Sequence, residues 1–350
     1  MSNETTEVSS GYYTHLSRRR FLTRMGVLGL AGYALVGCGE TVTSLTTKTI
    51  SVTPTSAGAI VASTGGTGPT IGLVMKSLNN TFFKDMRDAA LKYQQQKGTF
   101  KLITTGIQTE TDIDEQATIV ENLIKQKVDA IVIAPADSYG LVPVLAKAVK
   151  AGIKVVNIDV KLDDGSMKKA EIDLVFVGPD NAAGAKLSGD VLAKTLGVGG
   201  KVVLLEGNPG AANALQRKNG FLAAVQEGGL NLLQSKTAHW EMEEARTIFI
   251  NLLTAYPNVQ GVMCANDSMV LGVIKALETT GAGNKVQIAG FDNIPEVQLL
   301  IKEGKVLVTV DQYGSQQAIF GIDNALKLLA GEQVASWIKT PVKAITKADL

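Results

Sequence analysis

Cysteine, histidine and tryptophan are nearly absent from this chain, with two of each among 350 residues. Two thiols, Cys38 and Cys264, exclude a disulfide framework. With so few thiols and imidazoles the usual ligands of a transition-metal site are scarce, and no metal or cofactor is expected. Neither sign of charge dominates. The 34 Lys and Arg against 33 Asp and Glu give +1, which leaves no electrostatic footprint for DNA or RNA, so no nucleic-acid partner is expected. Long hydrophobic runs are missing too: apolar residues fall mostly in runs of four to seven, well below the roughly 18 of a membrane-spanning helix. The composition is nevertheless that of a globular protein, 45% apolar and 19% charged, and disorder throughout is excluded. A chain of this length suits two lobes of roughly 100–200 residues each.

What is present begins with an address. Ser17-Arg18-Arg19-Arg20-Phe21-Leu22 is basic, and after Arg24 an uncharged, mostly apolar run covers residues 25–37. Thirteen residues of helix span about 20 Å, short of the roughly 30 Å hydrocarbon core. Basic-then-apolar is the layout of a signal peptide. The arginines with Phe21-Leu22 resemble a twin-arginine export signal, and Leu35-Val36-Gly37-Cys38 resembles a bacterial lipobox. That resemblance implies removal of residues 1–37, lipid on Cys38, and an extracytoplasmic protein anchored to the bacterial membrane. Residues 39–70 change character, 14 of 32 being Ser or Thr. Such a stretch cannot bury enough apolar surface to order itself, so 38–70 reads as a tether.

From Ile71 onward short apolar runs alternate with amphipathic stretches. Strands are predicted at 71–76, 101–105, 129–134, 153–158, 173–177, 201–206, 230–234, 260–264, 286–290 and 306–310. Most are nearly all apolar rather than alternating, as parallel strands covered on both faces should be. Helical patterns lie between them, such as 113–127 and 241–255, and Gly98, Gly152, Gly197, Gly281, Gly304 and Gly331 stand where helices should stop. Repeated units of this kind predict an α/β protein of doubly wound parallel sheets. About ten strands exceed one comfortable sheet, hence two lobes.

In open parallel sheets the ligand sits beyond the carboxyl ends of the strands. Asn79-Asn80-Thr81-Phe82-Phe83 follow the first strand, Asp159 the fourth, Asn266-Asp267 the eighth, Phe291-Asp292 the ninth and Asp311-Gln312 the last. Amides, carboxylates and aromatics at one level suit an uncharged polyhydroxylated ligand, which offers hydroxyls to the polar groups and C–H faces to the rings. Asp or Asn between strand and helix is equally the residue type of an N-cap, and Asp180, Asp267 and Asn293 are expected only to cap.

The run IGLVMKSLNNTFFKDM at 71–86, followed in order by VVNID, VGPDN, QRKNGF, MCANDSMVLG, AGFDN and VTVDQ, resembles the type I periplasmic sugar-binding proteins of ABC importers, ribose and allose binders above all. The likeness covers residues 71–350 and implies two doubly wound lobes joined by a three-segment hinge, with crossovers near 178–180, 312–313 and 342–343. Lobe one would be 70–179 with 313–342, and lobe two 180–312 with 343–350. Carried across residue by residue, the resemblance implies Asn80 and Asp159 as hydrogen-bonding groups and Phe82 and Phe83 as stacking walls in lobe one. It implies Arg217, Trp240, Asn266 and Asp292 in lobe two, with Gln312 at the hinge. Two positions depart from the ribose pattern: Lys76 where Ser is usual, similar to the allose type and a candidate ligand contact, and Val160 where Arg is usual. A Lys does not replace the planar donor fork of an Arg. Trp240 is read as a stacking aromatic, although a lone tryptophan is more often core. Arg217 should be buried beside Asp159 and Asp292, His239 structural or solvent-facing, and Cys264 an inert buried thiol.

No catalytic motif accompanies these residues. Gly65-Gly66-Thr67-Gly68 lacks the Lys-Ser/Thr of a Walker loop, Glu206-Gly207-Asn208-Pro209-Gly210 lacks dinucleotide spacing, and neither H-E-x-x-H nor G-x-S-x-G occurs. The expectation is a monomeric, non-enzymatic lipoprotein that delivers a monosaccharide or polyol to permease subunits. A receptor for a quorum-type furanosyl signal and a secreted sugar-acting enzyme stay open as alternatives. A sugar-responsive repressor would carry a DNA-binding head where this chain has its signal and tether.

Overall fold

A computed structural model describes residues 61–62 and 66–350. The signal segment and Cys38 lie outside the described residues. The chain runs β1 (Val61–Ala62), β2 (Thr70–Ser77), α1 (Thr81–Lys97), β3 (Lys101–Ile107), α2 (Ile113–Lys125), β4 (Ala130–Ile133) and α3 (Val142–Lys150). It continues through β5 (Lys154–Ile158), α4 (Asp164–Lys169), β6 (Val175–Pro179), α5 (Asn181–Leu196), β7 (Lys201–Glu206), α6 (Ala212–Glu227) and β8 (Asn231–Thr237). Then come α7 (Met242–Ala255), β9 (Gly261–Cys264), α8 (Asp267–Thr280), β10 (Gln287–Ala289) and α9 (Pro295–Lys302). The last elements are β11 (Thr309–Asp311), α10 (Gly314–Leu329), β12 (Trp337–Thr340) and β13 (Lys343–Ile345).

Two sheets carry the body. The first has the order β1-β3-β2-β4-β5-β6-β12 and is parallel except for the edge pair β1–β3; the second, β10-β9-β7-β8, is parallel throughout. Alternation within β2 shows why its sequence is apolar on both faces. Ile71, Leu73 and Met75 belong to one buried cluster, with Phe82 and Met86 of α1, while Val74 belongs to another with Val120 and Leu123 of α2. A strand covered on both faces needs no polar side.

The chain passes between the lobes three times. It leaves the first sheet after β6, where Asp180 caps α5 by accepting from the Ala183 N–H at 3.0 Å. It returns after β11 through Tyr313, whose φ of 56° starts α10 in the left-handed region. The third passage comes after β12, which pairs with β6, and leads to β13, which pairs antiparallel with β11. Ordered structure also reaches into the stretch read as tether: Val61 and Ala62 pair with Thr104 and Ile103. A two-residue apolar edge strand can form there although the surrounding composition is polar. Among the described residues no helix is long and apolar enough to cross a membrane.

Candidate functional site

Between the lobes, at the carboxyl ends of both sheets, lies a cavity with about 230 Å³ of empty space. Lys76, Asn80, Phe82, Phe83, Asp159, Arg217, Trp240, Asn266, Asp292 and Gln312 all line it, and with them Glu110 and Asn213. Each is at most 8% exposed.

Lobe one builds its wall from strand ends. Asn80 is the N-cap of α1, its Oδ1 accepting from the Phe82 N–H at 3.0 Å, and this start angle presents Phe82 and Phe83 edge to face, centroids 5.1 Å apart. Lys76, next to last in β2, has its Nζ 3.0 Å from Glu110 Oε2, 5.5 Å from the Phe83 ring and 5.3 Å from the Trp240 ring. Asp159 follows β5 at a left-handed φ of 63°. Burial pushes its carboxyl pKa up, while Lys76 and Arg217 pull it down. Val160 is fully buried in the core, so this position offers the cavity no donor.

Lobe two supplies the guanidinium and the indole. Arg217 on α6 donates from Nε to Asn181 Oδ1 at 2.8 Å and from Nη1 to the Ala265 carbonyl at 2.8 Å and Asp292 Oδ1 at 3.4 Å. Its guanidinium lies 3.8 Å over the Phe291 ring. Desolvation lowers the Arg217 pKa and raises that of Asp292, each opposed by the other's charge. Asp292 also accepts from Gln312 Nε2 at 2.7 Å. Trp240 follows β8 at φ 71° with its indole against Gly207, where any Cβ would fall 2.2 Å from ring carbons.

Capping and lining are not alternatives here. Asn80 and Asn266 do both, Asn266 Oδ1 accepting from the Met269 N–H at 2.9 Å while its Nδ2 donates to the Trp240 carbonyl at 3.2 Å. Asp267, expected to cap α8, does something else because Asn266 already holds that position. It is fully buried and accepts from the Phe291 and Ile294 N–H groups and the Thr309 hydroxyl, clamping the turn that carries Asp292. Asn293 does not cap α9; its Nδ2 donates to Asp311. His239 is half-buried with Nδ1 3.0 Å from Glu244, and Cys264 is fully buried with its thiol pKa pushed up by desolvation.

Glu110 and Asn213 escaped the sequence reading. Glu110 lies in the loop after β3, where Gln108, Thr109, Thr111 and Asp112 surround it and no aromatic stands beside the polar residues. Asn213 sits four residues before Arg217 on α6, a spacing that puts both on one helix face.

The lobes touch around the cavity. The Ser138 hydroxyl accepts from the Ala212 N–H at 2.9 Å, and the Ser138 N–H donates to the Gly210 carbonyl at 3.0 Å. Thr81 donates to Glu296 at 2.7 Å, and the Glu110 N–H to Glu241 at 2.9 Å. Two cations and three carboxyls face the interior, so an anionic ligand would meet no excess of positive charge, whereas a neutral one finds donors, acceptors and ring faces together. Among the described residues no three His, Cys, Asp or Glu cluster as a metal site.

A model of a periplasmic binding protein domain matches residues 71–333. The D-ribose/D-allose-binding protein of Pseudomonas aeruginosa is 43% identical over 283 residues, 79% of this chain and 89% of that protein. Among solved structures, an ABC transporter solute-binding protein of Burkholderia multivorans matches with a TM-score of 0.78 at 44% identity, over 80% of this chain and 100% of that one. Another, from Actinobacillus succinogenes with bound D-allose, gives 0.76 at 37% identity, over 80% and 98%.

Proposed function

The chain belongs to the periplasmic binding protein family, solute-binding proteins of transport rather than enzymes, and on that premise we propose that it captures one monosaccharide or polyol between its lobes and delivers it to an ABC importer. The observation that carries this reading is the convergence of Phe82, Phe83 and Trp240 with Arg217, Asp159 and Asp292 in one small cavity. Rings cover the apolar faces of a sugar, and the charged groups take its hydroxyls in a desolvated space where each hydrogen bond counts for more. Lys76 and the buried Val160, the two departures from the ribose pattern, favour an allose-like ligand over ribose itself, and the Actinobacillus succinogenes relative holds D-allose.

Closure is the mechanism. Ligand contacts made by both lobes together stabilise the closed form, and the three passages absorb the backbone change. Permease subunits would read the closed pair of lobe faces, and the binding protein acts as a monomer. Lipid on Cys38 would hold it at the membrane surface; Cys38→Ser should then no longer take up a radioactive fatty acid, and continued labelling would end that part of the reading.

A thermal-shift screen across pentoses, hexoses and polyols tests the whole. A true ligand at a hundred times its Kd should add about 2.7 kcal/mol of stability. A flat response to every neutral sugar and polyol would contradict the reading.

A further inference from the structure

Four amide side chains line the cavity, and three of them are already engaged. Asn80 caps α1 and donates to Glu110, Asn266 caps α8 and donates to the Trp240 carbonyl, and Gln312 donates to Asp292 and accepts from Gln317. Asn213 differs. Its residue is 3% exposed, yet among the described residues nothing hydrogen-bonds its Oδ1. The Trp240 indole, also 3% exposed, is in the same position, with no acceptor for its Nε1–H among the described residues. Both groups line the cavity together with Arg217. The guanidinium lies 5.3 Å from the Trp240 ring, and Asn213 stands one helical turn before Arg217 on the same face of α6.

A buried donor or acceptor without a partner is costly, and an apolar residue of similar size would remove the cost. Leaving two such groups in one small cavity makes sense when a ligand supplies the partners. Water could serve them while the cleft is open; closing it empty would strand both.

We propose that Asn213 and the Trp240 indole N–H form a hydroxyl-reading subsite: one ligand hydroxyl donates to Asn213 Oδ1, and a hydroxyl oxygen accepts from Trp240 Nε1–H. The proposal rests on the sugar-binding reading of the cavity and names the groups of lobe two that read a neutral hydroxyl. Both groups are uncharged, so the hydroxyl they hold needs no counter-charge. Stacking uses the indole face, whereas this subsite uses its edge, so the two roles of Trp240 separate by substitution.

The test is calorimetric titration of D-allose, D-ribose and myo-inositol into the wild type, Asn213→Leu, Trp240→Phe and Asp292→Ala, with the melting point of each protein measured without sugar. Asn213→Leu should bind the best of the three probes about tenfold or more weakly while melting at or above the wild-type temperature, because the stranded amide is gone. Trp240→Phe, which keeps the ring and loses the N–H, should bind several-fold more weakly. Should Asn213→Leu fail to fold, Asn213→Ala carries the same comparison. Wild-type affinity in the Asn213 variant beside weakened binding in Asp292→Ala would overturn the subsite and leave the sugar reading standing. If the wild type binds none of the probes, or Asp292→Ala binds as the wild type does, the sugar reading falls and the subsite with it.

Discussion

Lys76 Nζ and Glu110 Oε2 lie 3.0 Å apart with side chains 3% and 2% exposed. Glu110 does more than neutralise that ammonium. Its Oε1 accepts from Asn80 Nδ2 at 2.9 Å, and its backbone N–H donates across the cleft to Glu241. One residue thus holds two groups of the lobe-one wall and a contact between the lobes.

Removing one partner of a buried ion pair leaves an uncompensated charge. Glu110→Ala should lose about 3–5 kcal/mol of stability, read as a shift in denaturant midpoint at constant slope. Glu110→Leu combined with Lys76→Met should recover most of that stability and still bind sugar weakly. An unchanged midpoint in Glu110→Ala would mean the ammonium reaches water and the pair does not organise the wall.

Gly207 sets the position of the indole. A methyl group there would meet Trp240 ring carbons at 2.2 Å, and a rigid ring can relieve this only by moving. Gly207→Ala should therefore displace the indole and weaken sugar binding by roughly tenfold, an overpacking effect of about 1–3 kcal/mol. Emission of Trp240 should change as well, measured against a Trp337→Phe background since those are the two tryptophans. Wild-type affinity in Gly207→Ala would remove the indole from the binding surface.

Asp267 makes stability depend on pH. Burial pushes its carboxyl from 3.8 up to about 6, against hydrogen bonds from Thr309, Ile294 and Phe291 that pull it down. Between about pH 4 and 6 the folded protein then holds a proton that the unfolded chain has released. Unfolding loses that proton, so the contribution of this group to stability rises as pH falls from about 7 toward 4, and Asp292, also raised by burial, carries the same sign. Denaturant midpoints at pH 7, 6 and 5 should show a flatter profile in Asp267→Asn than in the wild type. Parallel profiles would show that Asp267 keeps an ordinary carboxyl.

The parallel strands were legible in the sequence because burial on both faces makes them nearly all apolar. The prediction at 201–206 coincides with β7, and 71–76 lies inside β2. The short strands β12 and β13 were not, because Trp337-Ile338-Lys339-Thr340 and Lys343-Ala344-Ile345 are half-exposed edge segments with no apolar run to detect. Ten of the cavity residues were legible through the polar and aromatic residues at the strand ends and through family motifs. Asn213 was missed because it sits inside a helix, and Glu110 because its loop has no neighbouring aromatic to draw attention. Asp267 shows a different limit. An acid at a helix start has the same residue type whether it caps or clamps a distant turn, and only the fold brings Phe291, Ile294 and Thr309 to it.

The central claim is that the cavity between the lobes holds one neutral sugar or polyol, and calorimetric titration of D-allose, D-ribose and myo-inositol into wild type and Asp292→Ala tests it most directly. The account predicts saturable one-to-one binding of at least one of these to the wild type, weakened in Asp292→Ala by about 1–3 kcal/mol as ligand hydroxyls lose their acceptor. No binding heat from any of the three with the wild type, or equal affinity in the two proteins, would contradict it.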